Sequence, residues 1–317
     1  MQGPVAGLRR NLQLLTGTPV NKPTDAYAYI KLVTPDVYRS MGHFEMMHVE
    51  ERDFFKKPTK FGNLDLIKDN LAQQAISRTK EELHGYDLKP LFPDSEYELA
   101  PEHYKLYTKL VDEQLLLFDD GSMIDASTAQ RLQHALQQVV VNYDYFSNVP
   151  ANKSAAYDLI DLTISETECE RPDKSKLIIW TKYKRTTRSV LAYCGEKMST
   201  VAAYSEANTE RSINQFMDDP QTRILVAQYQ SAGAGLNPQY VCNEALFLEL
   251  DVVPLYIRQA MGRIDRTGQT KVPRMRFAVA KGTVQEVLLI NLLRNDGLVE
   301  QVEPSKKGIR EMLLGKK

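Results

Sequence analysis

Cysteine is scarce: three residues in 317, at Cys169, Cys194 and Cys242. An odd number at wide, irregular spacing excludes a disulfide framework and a zinc site, and fits a chain kept reduced inside a cell. An excess of either charge is also lacking. Forty Lys and Arg against 41 Asp and Glu leave a formal net charge of -1. That excludes a global pull toward nucleic acid or membrane, so a nucleic-acid binder of this composition must rely on a local patch. No apolar run is long enough to span a bilayer. The start, MQGPVAGLRRNLQLL, lacks the apolar core of a signal peptide. These absences point to an intracellular chain, cytoplasmic or nucleoid-associated, with no membrane partner.

What is present is ordinary for a folded protein: 43% hydrophobic and 26% charged residues, enough chain for two domains or one large one. The C-terminal part alternates strands and helices. KLIIWT (176–181), VAAYS (201–205), RILVA (223–227), ALFLEL (245–250) and RMRFAVA (274–280) read as strands. TERSINQFM (209–217) reads as a helix capped by Asn208 or Thr209. This order predicts an α/β fold, a parallel sheet with helices on both faces. Residues 41–150 read differently, as a mainly helical insertion or linker, with LDLIKDNLAQQAI and YKLYTKLVDEQLLL at helical periodicity. NLQLL (11–15) is a lone strand running into Thr16-Gly17-Thr18-Pro19, and one strand makes no sheet. Residues 1–40 therefore read as a remnant of another lobe, 151–290 as the sheet lobe and 291–317 as a helical tail.

The segment QAMGRIDRTGQ (259–269) carries two arginines three apart. Pro254 suits a first helical position. At about 100° per residue, Gln259, Arg263 and Arg266 fall within roughly 60° of arc, opposite Ile257, Ala260, Met261 and Ile264. Read alone, this is an ordinary surface helix. A planar guanidinium also matches phosphate oxygens in a bidentate way and is permanently charged. Upstream, RILVA runs into QSAGAGLN (230–237), whose small residues let another backbone or a phosphate approach. Lys174, Lys176, Lys182, Lys184, Arg185 and Arg188 cluster in sequence, as a solvated surface or a binding patch.

Taken in order, these segments resemble the Swi/Snf family of superfamily-two ATP-dependent DNA helicases and translocases. LLTGTP (14–19) resembles motif III, and SRTKEEL (77–83) the Arg/Lys element after the first lobe. KLIIWTKYKRT (176–186) resembles motif IV, and TERSINQF (209–216) the helix that follows it. QSAGAGLN resembles motif V, QAMGRIDRTGQ motif VI, and AKGTVQEVLL (280–289) the element beyond. The resemblance implies two RecA-like lobes with ATP and Mg²⁺ in the cleft and double-stranded DNA across both. By that carry-over Arg263 and Arg266 are arginine fingers and Gln259 helps position the γ-phosphate. Gly235 and Asn237 belong to the ATP site and, with Gly233, couple nucleotide to DNA, while Ser231 lies near a DNA phosphate. Thr16, Gly17 and Thr18 form the matching coupling loop. Lys182, Lys184 and Arg185 are candidates for DNA backbone contact, and Arg211 for a brace.

The family also needs G-x-x-x-x-G-K-[ST] and an acidic pair at a strand end to hold the metal. Neither occurs in the 317 residues. Gly308–Lys317 has the wrong glycine spacing, and Asp112-Glu113 sits in a helical pattern. The chain therefore reads as a C-terminal motor half, inactive by itself, with no metal site and with its ATP-bearing N-terminal lobe elsewhere. Asp265 stands where many members carry histidine. The short segment after LLTGTP points to a compact bacterial or viral member. The competing reading is a non-catalytic DNA- or protein-binding module docking through residues 174–188; action on RNA is the other alternative.

Overall fold

The computed structural model describes residues 20, 22–54, 56–73, 82, 88–117, 123–126, 128–149, 153–232, 236–251 and 253–300. The chain divides into two units: Met1–Asp87 with Val253–Leu255 and Leu292–Lys317, and Leu88–Val252 with Tyr256–Asn291. NLQLL and Thr16, Gly17 and Thr18 lie outside the described residues, as do Gly233, Gly235 and all of SRTKEEL except Glu82.

The first unit holds α1 (Ala26–Val33), α2 (Met41–His48), the hairpin β1 (Val49–Arg52) and β2 (Pro58–Phe61), and α3 (Leu64–Ala72). Its core is aromatic: Tyr38 meets Phe44 edge-on at 5.0 Å and His48 at 5.5 Å. The buried Tyr38 hydroxyl is hydrogen-bonded to His48 Nε2 at 2.8 Å and accepts from Asn70 Nδ2 at 3.2 Å. Burial costs a charged imidazole its hydration and pushes the His48 pKa down. The hairpin escapes sequence periodicity because VEER and PTKF are mostly exposed and charged, with no apolar alternation.

In the second unit, β3 (Glu96–Tyr97) and α4 (Pro101–Glu113) are followed by a small antiparallel pair, β4 (Leu115–Leu117) and β5 (Met123–Asp125). Gln114 takes a left-handed conformation, φ 53°, and ends α4, so Leu115–Leu117 form a strand although the sequence continues the helical pattern. Helices α5 (Ala129–Val141), α6 (Tyr143–Phe146) and α7 (Ala155–Thr167) then lead into the sheet.

The sheet alternates β6 (Lys176–Thr181), α8 (Lys184–Gly195), β7 (Thr200–Ala203), α9 (Glu206–Asp218), β8 (Ile224–Gln228), α10 (Tyr229–Ala232), β9 (Cys242–Phe247), α11 (Pro254–Ile264) and β10 (Arg274–Phe277). The strand order is β10-β9-β6-β8-β7, and every pairing is parallel. Each residue of β6, β8 and β9 is buried, as expected of a parallel sheet covered on both faces. Leu177 and Ile179 join Val226, Leu246 and Val190 in the core on one face. On the other, Trp180 stacks on Tyr229 at 5.6 Å, and Phe247 on Phe277 at 4.5 Å.

Three local readings are corrected. Helix α9 starts at Glu206 with Ser205, not Asn208 or Thr209, as its N-cap; Ser205 and Asn208 form a capping box, so Asn208 is the third helical residue. Strand β9 begins at Cys242, because Glu244 is satisfied inside the sheet by Arg276 at 3.1 Å. RMRFAVA splits at Ala278, and β11 (Val279–Ala280) pairs in parallel with β3. Helix α12 (Val284–Glu300) follows.

Candidate functional site

Helix α11 is set by its apolar face: Ile257 and Ile264 are fully buried, and Ala260 and Met261 nearly so. Gln259 is half-buried one turn before Arg263. The helix ends at Ile264, so Arg266 belongs to the turn beyond it and not to the helical face the periodicity implies. That turn is held by its backbone. Gln269 N donates to Arg266 O at 3.0 Å, and the buried Gln269 amide donates to Cys242 O and Ile264 O, both at 3.0 Å. Gly268 supplies φ +91°, a conformation that side chains rarely adopt.

The two guanidiniums meet consecutive residues of the β8–β9 connection. Arg263 is half-buried and its Nη1 donates to Leu236 O at 3.3 Å. Arg266 is exposed and its Nη1 donates to Asn237 Oδ1. Burial, and then the charge of Arg266, hold Arg263 below the usual arginine range. Arginine stays protonated regardless, so both remain cations, one half-buried and one exposed. At 1.5 Å per residue, α11 carries the chain about 13 Å from Pro254 to Arg263. The pair thus lies near the β8–β9 crossover, away from the strand ends where α11 departs.

Those strand ends hold a second polar group, which the sequence does not single out. Glu249, 1% exposed, accepts from the backbone N–H groups of Lys182 at 2.8 Å and Tyr183 at 3.0 Å and from Thr186 Oγ1 at 2.6 Å. Burial pushes its carboxyl up to about 7. Lys182 Nζ reaches Asp251 at 3.5 Å and Gln137 Oε1 at 3.3 Å. Gln137, from α5, also accepts from Tyr183 OH at 2.6 Å and donates to Leu250 O at 3.0 Å. The signal in sequence is an acid directly behind the apolar run ALFL; Gln137 leaves none, being more than 40 residues away.

The basic run at 174–188 does not form one surface. Lys176 is buried, and its Nζ donates to Phe216 O and to Asp219 O, the latter at 2.8 Å, closing the end of α9. Lys174 pairs with Glu168 at 2.7 Å. Lys184 and Arg185 are exposed at the start of α8, with Arg185 over the Tyr145 ring at 3.5 Å. Ser231 is half-buried in α10, and Arg211 is exposed on α9. Asp112 and Glu113 are exposed in the last turn of α4. The three cysteines are buried, and burial raises their thiols, Cys169 to about 11 and Cys194 and Cys242 to about 12. Among the described residues no group of three His, Cys, Asp or Glu is placed to hold a metal, and no helix is long and apolar enough to cross a membrane.

The fold class is α/β: a parallel sheet with helices on both faces, with Arg263 carried by α11 and Arg266 by the turn after it. No family model matches the chain. The uncharacterized ATP-dependent helicase YqhH of Bacillus subtilis is 24% identical over 318 residues, covering 91% of this chain and 54% of that protein. The DNA annealing helicase and endonuclease ZRANB3 of Mus musculus is 34% identical over 303 residues, covering 92% of this chain and 27% of that protein. The Sulfolobus solfataricus SWI2/SNF2 ATPase core domain overlays with a TM-score of 0.49 at 18% identity, over 92% of this chain and 60% of that one. The chain therefore spans about half the length of the first relative and about a quarter of the second. Over about nine-tenths of its length the chain is thus similar to proteins described as ATP-dependent or DNA annealing helicases.

Proposed function

We propose that this chain is the second motor lobe of an ATP-dependent double-stranded DNA translocase or helicase, and that Arg263 and Arg266 act on ATP held by a first RecA-like lobe. The observation that carries the reading is the arginine pair, seated on the consecutive residues Leu236 and Asn237. When the terminal phosphoryl group passes to water and its bond to the β-phosphate oxygen breaks, negative charge spreads over its equatorial oxygens. Arginines placed there are worth about 10³–10⁵ in rate. Gln259 orients the phosphate. Asn237, and with it Ser231 and the Gly233–Gly235 segment, links the arginines to DNA, while Thr16, Gly17 and Thr18 serve the same purpose on the other lobe. Mg²⁺ takes its ligands from that first lobe, with the phosphate loop. Lys184 and Arg185 meet the DNA backbone, so binding is insensitive to sequence and weakens with salt. Lys182, committed to Asp251 and Gln137, sets the loop that presents them.

The test is steady-state ATP hydrolysis with double-stranded DNA, in a protein that joins this chain to its nucleotide-bearing lobe. Arg263→Ala and Arg266→Ala are each expected to lower turnover by about 10³-fold or more while nucleotide binding persists. Turnover unchanged in both variants overturns the assignment of the arginines. The chain on its own is expected to hydrolyse no ATP.

A further inference from the structure

The connection that seats the two arginines carries a side chain that the ATPase reading leaves unused. Behind Asn237 the chain makes a short 3-10 turn, Pro238–Tyr240, closed by Val241 N donating to Pro238 O at 2.9 Å. Pro238 and Gln239 are buried and anchor the turn, while Tyr240 is 72% exposed.

This turn runs in step with the one that carries Arg266. Asn237 Oδ1 accepts from Arg266 Nη1, Gln239 Nε2 donates to Thr267 O at 3.4 Å, and the Tyr240 ring lies against Gly268. The last contact exists because residue 268 has no side chain. A Cβ there would come within 2.9 Å of the ring's Cε1 and 3.0 Å of its hydroxyl oxygen. The ring therefore meets the neighbouring turn through its hydroxyl edge and leaves most of its surface open. At about 2 Å per residue of a 3-10 turn, Tyr240 stands about 6 Å along the chain from Asn237. Side chains as long as tyrosine and arginine can widen that separation to the length of a triphosphate and its ribose.

An open aromatic ring close to an exposed guanidinium matches a ligand that is anionic at one end and flat and apolar at the other. A nucleotide has that form. A base stacks on an aromatic side chain through its π-face, whatever its hydrogen-bonding edge. In duplex DNA each base face is already covered by its neighbours, whereas the base of a free nucleoside triphosphate is not. The occupant favoured is therefore the triphosphate, and not the duplex.

We propose that Tyr240 is a base-stacking residue: its ring packs on the base of the nucleoside triphosphate whose phosphates meet Arg263 and Arg266. This rests on the motor reading, because the triphosphate is the one those arginines act on.

The experiment measures steady-state ATP hydrolysis with double-stranded DNA in the protein that joins this chain to its nucleotide-bearing lobe. Tripolyphosphate, which has no base, serves as a competing inhibitor. Tyr240→Ala is expected to raise KM for ATP about tenfold, to keep most of kcat, and to leave the inhibition constant of tripolyphosphate unchanged. Tyr240→Phe and Tyr240→Trp keep the parent KM. Tyr240→Leu, which still covers Gly268 but has no ring, behaves as Tyr240→Ala. Arg266→Ala differs by lowering kcat. An unchanged KM in Tyr240→Ala, with turnover lost in Arg266→Ala, overturns this proposal alone. So does a parent-like KM in Tyr240→Leu, because the contact with Gly268 and not a ring face is then what matters. KM and the tripolyphosphate inhibition constant rising together overturn it by placing the residue behind the arginines. A rise in the DNA concentration needed for half-maximal stimulation, at unchanged KM for ATP, overturns it by placing the ring on DNA. Turnover that survives both arginine substitutions overturns the motor reading, and this proposal with it.

Discussion

At the scale of single residues, Glu249 has the most to lose from its position. Its carboxylate ties the start of α8 to the end of β9, yet it is fully enclosed, and burial pushes its pKa from the ordinary 4.5 to about 7. Between those values the folded state holds a proton that the unfolded chain has released. Its contribution is therefore full below about pH 4.5 and falls as pH rises to about 7, by roughly 3 kcal/mol at most. Glu249→Gln keeps an oxygen for the two backbone N–H groups and has no proton to lose. Its amide can donate to Thr186 Oγ1, which already accepts from Asn142 at 2.9 Å. Thermal midpoints measured from pH 5 to 8 are expected to fall in the parent and to stay flatter in Glu249→Gln. Equal slopes in the two proteins would refute this account. Glu249→Leu leaves the Lys182 and Tyr183 N–H groups without acceptors, each costing about 1–3 kcal/mol.

At the scale of elements, the ends matter more than the middles. The turn that follows α11 depends on Gly268. A Cβ there would lie 2.9 Å from the Tyr240 ring. Tyr240 is 72% exposed and its ring can swing away, but φ +91° cannot be relaxed without moving the turn. Gly268→Ala is expected to cost about 1–2 kcal/mol and to reduce DNA-stimulated ATP turnover in the joined protein, because Arg266 rides on that turn. An unchanged melting midpoint would argue against strain at this position. Helix α9 is fastened at both ends, by the Ser205 capping box and by Lys176, whose ammonium takes the carbonyls of Phe216 and Asp219. Cations near a helix C-terminus are favourable, and a donor removed from buried carbonyls is costly. Lys176→Met is expected to destabilise by about 1–3 kcal/mol, read as a lower urea midpoint at unchanged slope. No loss of DNA affinity should accompany it, since this lysine faces inward.

At the scale of the whole chain, one buried ion network joins elements far apart in sequence. Arg276, 2% exposed, pairs with Glu244 of β9 at 3.1 Å and with Glu166 of α7 at 2.7 Å. Removing the arginine alone leaves the buried Glu244 with Arg274, at 3.7 Å, as its remaining ion-pair partner among the described residues. Arg276→Ala is expected to cost less than the about 3–5 kcal/mol of a wholly uncompensated buried charge, because Arg274 remains, but more than Arg276→Met combined with Glu244→Leu. Equilibrium denaturation of both variants separates the two, and equal losses would contradict the network's role.

How much could be read in advance varied with distance along the chain. KLIIWT coincides with β6, and the parallel α/β order follows from the alternation of short apolar runs with helices. Two features lie outside that logic. The hairpin β1–β2 has no apolar alternation, and the Glu249 cluster draws on Gln137, Lys182 and Asp251, which are joined only by folding. The basic run from 174 to 188 reads as one patch because adjacency in sequence is easy to see. Strand β6 sends Lys176 inward, and the loop after it commits Lys182, so two of its charges are withdrawn from the surface.

By itself, the order of residues determined the strand-and-helix plan, the buried face of α11 and the presence of two arginines beyond it, because apolar periodicity and residue chemistry act locally. The tertiary structure alone decided that Arg263 and Arg266 stand on Leu236 and Asn237, that Arg266 is carried by a turn, and that Glu249 is sealed among three donors. Those outcomes depend on which chain segments exclude water from one another, a property that no short stretch of sequence contains.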